Sequence, residues 1–195
     1  STTPYYILVK SGVYNEKDTV PTNRPNIVMV GENVLNTVIY YNDNANTIYN
    51  GAAVGTSGSS AFFVNGANFT AFNMTFQNNS GVAAGQAVAV NISGDKAAFR
   101  NCRFLGFQDV LYCKNSGISS YFNNCYIEGT VDFIFGASTS WFDSCYIFCK
   151  TRNSTTNIIA APNTAADVSA LQVVAPALEE SRSEEHTSEL QSHHV

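Results

Sequence analysis

Gly66 to Phe76 reads GANFTAFNMTF, Gly94 to Phe104 reads GDKAAFRNCRF, Ser119 to Ile127 reads SSYFNNCYI, and Thr139 to Ile147 reads TSWFDSCYI. The four segments align on an aromatic residue, then Met or Cys, then an apolar residue two places on. Met74, Cys102, Cys125 and Cys145 share one position at spacings of 28, 23 and 20 residues, and Phe76, Phe104, Ile127 and Ile147 share the next. Within each segment the apolar side chains alternate with a period of two, the pattern of a short strand with one inward face. Repeats of this length, with Asn, Gly, Ser and Thr between the strands, predict an all-β parallel helix in which each coil stacks on the last. On that reading Cys102, Cys125 and Cys145 are small interior hydrophobes on matched rungs, while Cys113 and Cys149 fall outside the ladder.

Outward from the repeat, YYILVKSGVY (Tyr5 to Tyr14) and NIVMVGEN (Asn26 to Asn33) predict further strands with turns at Gly12 and Gly31, and NIIAAP (Asn157 to Pro162) one more. The 195 residues are 45% apolar and 13% charged, the composition of a folded globular chain. No run approaches the length of a membrane-spanning helix, and Ser1 to Tyr6 lack the order of a signal peptide. Of the formal charge of −5, Glu179, Glu180, Glu184, Glu185 and Glu189 against Arg182 place −4 in the last 17 residues. The remaining body has 10 acids and 9 bases, with no basic cluster for nucleic acid or an anionic membrane. Five cysteines without C-x-x-C spacing make structural zinc improbable and leave any disulfide unassigned.

Two carboxylates stand out by phase. Asp109 follows Cys102 by seven residues and Asp132 follows Cys125 by seven, so they take one position on consecutive coils. Neighbouring strands lie about 4.7–4.9 Å apart, close enough for the two titrations to couple. One carboxyl then keeps its proton and acts as an acid while the other stays an anion and acts as a nucleophile. Gln108 and Gln86 are neutral amide donors suited to an oxyanion. All three histidines (His186, His193, His194) lie in the tail, which removes a Ser-His-Asp triad from consideration. The competing reading is that both aspartates only cap turns. The apolar surroundings of Asp132, between Val131 and FIFG, favour a functional role.

Four blocks carry a family resemblance: G-x-Y-x-E at Gly12, Tyr14 and Glu16, GQAVAV at Gly85 to Val90, FQDVLY at Phe107 to Tyr112, and GTVDFIFG at Gly129 to Gly136. In this order they resemble the pectin methylesterases (pectinesterases), nearest the bacterial branch, over residues 5–165. The resemblance implies a right-handed, single-stranded parallel β-helix of pectin lyase-like architecture, incomplete in this chain. It implies hydrolysis of the C6 methyl esters of polygalacturonate, with methanol released and neither metal nor cofactor involved. Residue by residue, it makes Asp132 the nucleophile and Asp109 the general acid and then base, with Gln108 and Gln86 holding the oxyanion. Thr56, in GTSGSS, falls where the family has a substrate-contacting threonine. Phe107, Tyr112, Phe133 and Phe135 are candidates for lining the groove or for packing inside.

The departures are as informative. The family's later L-G-R-P-W block, whose Arg orients the nucleophilic Asp, is absent from these residues. Arg152 is in phase with the aspartates but lacks the surrounding motif, so it is read as a solvated surface residue. Val110 stands where the family usually has Thr. The expected organisation is a partial β-helix domain over 1–165, a degenerate or helical segment over 166–180 and a non-native tail over 181–195, within an interior fragment of a longer enzyme that has little activity on its own. The expected partners are methyl-esterified homogalacturonan and water, with no nucleic acid or membrane, for a monomer; the substrate implies a protein that is secreted or at the cell surface or in the periplasm. A non-catalytic polysaccharide-binding β-helix is the alternative; a lyase or polygalacturonase fits less well, lacking a calcium-binding acid cluster and a body histidine. The sequons at Asn68, Asn73, Asn78, Asn91 and Asn153 are read as chance in an Asn-rich chain.

Overall fold

The computed structural model describes residues 3–152 and 157–163. The segments 166–180 and 181–195, the histidines and Asn153 lie outside the described residues. Within them the chain winds through six coils and builds three parallel sheets of six strands each. The first sheet stacks Tyr5–Val9, Ile27–Gly31, Thr70–Phe72, Ala97–Arg100, Ser119–Asn123 and Thr139–Asp143. The second stacks Gly12–Asn15, Thr37–Tyr41, Thr75–Asn78, Arg103–Leu105, Tyr126–Gly129 and Tyr146–Cys149. The third stacks Asp18–Val20, Phe62–Val64, Val90–Ile92, Leu111–Cys113, Val131–Gly136 and Ile158–Pro162. The parallel β-helix read from the repeat is therefore the architecture observed.

The four quoted segments are the corner between the first and second sheets. One left-handed residue makes each turn: Asn73, Asn101, Asn124 and Ser144, with φ of 55°, 50°, 53° and 54°. Asn tolerates this conformation at little cost. Here it also forms a ladder, with Asn101 Nδ2 donating to Asn73 Oδ1 at 2.7 Å and Asn124 Nδ2 to Asn101 Oδ1 at 3.4 Å. The residue after each turn points inward. Cys102 donates its thiol to the Ala71 carbonyl at 3.6 Å, Cys125 to Phe99 at 3.5 Å and Cys145 to Phe122 at 3.4 Å, each reaching back one coil. All five cysteines are free, and Cys113 is also fully interior, on the third sheet.

Aromatic ladders fill the centre. Phe99, Phe122 and Phe142 stack with ring centroids 5.3 and 4.7 Å apart and planes within 6°. Phe76 stacks on Phe104 beside them. Such pairs contribute about 0.5–1.5 kcal/mol each beyond the burial itself. Two sequons, Asn78 and Asn91, are buried within strands, so neither can carry a glycan in the folded chain.

At the corner between the second and third sheets the coils differ in length. The second coil inserts residues 42–61, which hold the hairpin Ile48–Tyr49 with Ala52–Ala53 and one helical turn at Gly55–Gly58. The third coil inserts a short turn at Val82–Ala84. The fourth and fifth pass this corner with almost no insertion, and there the two aspartates stand.

Candidate active site

Isolated parallel bridges join Gln86 to Gln108 and Gln108 to Val131, and the Asp109 amide donates to the Val131 carbonyl at 3.1 Å. Gln86, Gln108–Asp109 and Val131–Asp132 thus lie on three consecutive coils, with the two carboxylates on neighbouring rungs. Both aspartates are left-handed, with φ of 64° and 50°. At Asp132 the pairing of Val131–Gly136 with the next strand shifts register between Val131 and Ile134. An irregularity of this kind re-aims a side chain that the strand would otherwise turn the other way.

The local sequence explains the turn. Gly129 packs so closely that a Cβ there would lie 2.2 Å from Cβ of Phe133. Gly106 is equally confined by Val110 one coil earlier, at 2.8 Å. Each Gly makes room for the apolar side chain four residues on, which plugs the core beneath the aspartate. The in-phase pattern G-x-x-D-apolar was readable in the sequence, where only the aspartates were singled out. Lys150 secures the same turn from the sixth coil: its ammonium donates to the Gly106 carbonyl at 3.1 Å, pairs with Glu128 at 3.0 Å and lies 3.8 Å from the Phe107 ring centre. Nothing in the spacing of Lys150 pointed to that contact.

Asp109 is 4% exposed and Asp132 half-buried. Burial first, and the charge of Asp132 second, push the Asp109 carboxyl up from 3.8 to about 6. Hydrogen bonds from the side-chain amides of Gln108 and Gln86 pull the other way. Gln86 is oriented in turn by Thr56, whose hydroxyl donates to Gln86 Oε1 at 2.8 Å. Since Oε1 accepts from Thr56, the amide NH2 faces Asp109 with a second N–H to spare. No group of three or more His, Cys, Asp or Glu side chains that could hold a metal ion occurs among the described residues.

The sequence model of the pectinesterase family matches residues 1–185. The chain belongs to the pectinesterase family. It is 40% identical over 151 residues to pectinesterase 31 of Arabidopsis thaliana, covering 75% of this chain and 47% of that protein. The pectin methylesterase PemA of Erwinia chrysanthemi superposes with a TM-score of 0.78 at 34% identity, over 84% of this chain and 53% of that one. A pectin methylesterase solved in complex with a hexasaccharide superposes equally well, with a TM-score of 0.78, 34% identity and the same coverage of both chains. This chain thus spans about half the length of the pectinesterases it matches.

Against the pectinesterase expectations, Asp109, Asp132, Gln108, Gln86 and Thr56 come together at one corner. Tyr112 and Phe135 stack on the outer face of the third sheet, 4.2 Å between ring centres and 8° between planes, three residues beyond the two aspartates. Phe107 is half-buried under Lys150. Of the two readings of Phe133, packing inside is the one the structure has and groove lining is not: fully buried, it belongs to the core, because the left-handed Asp132 before it turns its ring inward. Arg152, read as a solvated surface residue, is half-buried.

Proposed function

We propose that this corner is the catalytic centre of a pectin methylesterase that removes C6 methyl esters from polygalacturonate, with Asp132 as nucleophile and Asp109 as acid and then base. The observation that carries the reading is the coupled pair on consecutive coils, in which Asp109 is the carboxyl that holds its proton to about pH 6. Family membership and the hexasaccharide bound by a related pectin methylesterase support the substrate class.

In the first step a carboxylate oxygen of Asp132 attacks the ester carbonyl, and the oxyanion takes N–H bonds from Gln108 and Gln86. The intermediate collapses, the bond to the methoxy oxygen breaks, and Asp109 supplies the proton that lets methanol leave. Asp109, now a carboxylate, takes a proton from water as that water attacks the anhydride joining the sugar to Asp132. The products are the free uronic acid, which gives its proton to solvent, and regenerated Asp132, with Asp109 protonated again. Tyr112 and Phe135 offer apolar faces beside the reacting ester. The substrate lies outside the cell, so the protein would act secreted, at the cell surface or in the periplasm.

The test is methanol release from methyl-esterified pectin by the longest reading frame that contains these residues. Asp132→Ala should lower it by about 10³ or more, the scale at which a group acting in the transition state is felt. Retained release removes Asp132 from the nucleophile's place. For the 195 residues alone we expect little or no turnover, because no Leu-Gly-Arg-Pro-Trp block is present to orient the nucleophile. Clear turnover by them overturns that expectation.

A further inference from the structure

Thr56 reaches Gln86 from the 42–61 insertion, and that insertion is held by a part-buried network that begins on the first coil. Lys17, on the first coil, donates its ammonium to Asp43 Oδ2 at 2.5 Å and to the Gly58 carbonyl at 2.6 Å. The rings of Tyr41, Tyr49 and Phe63 surround it with centres 5.3 to 5.9 Å away. Tyr49 donates its hydroxyl to Asp43 Oδ2 at 3.0 Å. Asn78, 1% exposed, donates to the carbonyls of Asp43, Ser59 and Val88 at 2.8, 3.2 and 3.0 Å. Ser59 Oγ closes the turn onto the Thr56 carbonyl at 2.7 Å. The C-terminal end of the helical turn Gly55–Gly58 is thereby fixed, the Gly55 amide fixes the other end by donating to the Ala45 carbonyl at 3.0 Å, and the Thr56 hydroxyl is held between them.

We infer that Lys17 and Asp43 are positioning residues: by pinning the Gly55–Gly58 turn they hold the Thr56 hydroxyl on Gln86 Oε1 and so determine that the amide NH2 of Gln86 faces Asp109. The logic is that of a side chain with two unlike ends. An ionised Asp109 can only accept, so it requires the NH2 end, and the other end then requires a donor, which only a correctly placed hydroxyl supplies. The inference rests on the proposed function for its meaning in catalysis, though not for its geometry.

The charged group facing Asp109 is Asp132 on the next coil; the Lys150–Glu128 pair stands on Gly106 and Phe107 instead, and Lys17 and Asp43 act only through the turn. The experiment follows the Asp109 carboxyl by carbon NMR through a pH titration of the folded chain, which requires no turnover. In Thr56→Val the hydroxyl is lost with the shape retained, the Gln86 amide is free to turn, and the Asp109 midpoint should rise by about one pH unit, the worth of a hydrogen bond to a charged group. Lys17→Met should give the same rise, and Thr56→Ser and Lys17→Arg should restore the parent midpoint. An unchanged midpoint in Thr56→Val overturns the orienting role of the hydroxyl. A rise in Thr56→Val with a parental midpoint in a folded Lys17→Met overturns the role of the ion pair; if that variant does not fold, Asp43→Asn serves in its place. Absence of methanol release by the longest reading frame that contains these residues, alongside these shifts, counts against the esterase reading alone.

Discussion

Asp109 shows what a single position in the coil does to a side chain. The turn is left-handed, its carboxyl sits almost fully out of solvent, and a second carboxyl follows on the next rung. Its proton is held to about pH 6 in the folded chain, against 3.8 for the free side chain. The folded state therefore binds that proton more tightly than the unfolded state. The associated stability is full below pH 3.8 and is lost as pH rises through about 6, when an anion must be held beside Asp132. Asp109→Asn should raise stability at pH 8 by about 1 to 2 kcal/mol, a figure reduced for screening at the groove, and change little at pH 3.5. Urea unfolding at the two pH values measures it. A variant less stable than the parent at pH 8 would mean that the carboxylate is held by favourable contacts. The pairing itself was visible in the sequence because two rungs carried Asp in phase. Which of the two keeps the proton was not visible in the spacing, since it depends on burial at the corner; only the family resemblance assigned it to Asp109.

At the scale of the element, the corner between the first and second sheets was readable because its residues sit at fixed offsets from Met74, Cys102, Cys125 and Cys145. The Asn immediately before three of these was an available signal for the left-handed turn and its ladder. The third sheet was much harder to read. Phe62–Val64, Val90–Ile92 and Leu111–Cys113 are three residues each, too short for a period of two to stand out. The 42–61 insertion interrupts the repeat, so the Lys17 and Asp43 network could not be inferred from spacing. Gly136 ends the third sheet's fifth strand at φ 124°, where a Cβ would lie 1.9 Å from the Cys113 carbonyl. Gly136→Ala should cost about 3 kcal/mol or more, since neither the backbone angle nor the neighbouring strand can yield. Gly117→Ala, at φ 77° in open space, should cost only about 1 kcal/mol. Equal urea midpoints for the two variants would show that the close approach of the coils is not what confines Gly136.

For the whole molecule, stacking is the source of both the buried core and the carboxylate pair. Each coil buries its aromatic and thiol side chains only against its neighbours, and the same vertical register that aligns Phe99, Phe122 and Phe142 brings Asp109 next to Asp132. The fold followed from internal repetition; the site followed from two departures in phase with it. The central claim is that these carboxyls work as one coupled pair, and a carbon NMR titration of Asp109 in the parent chain and in Asp132→Asn tests it most directly. The midpoint should lie at about 6 in the parent and fall when the charge of Asp132 is removed. A parent midpoint near 3.8, unmoved by Asp132→Asn, would contradict it.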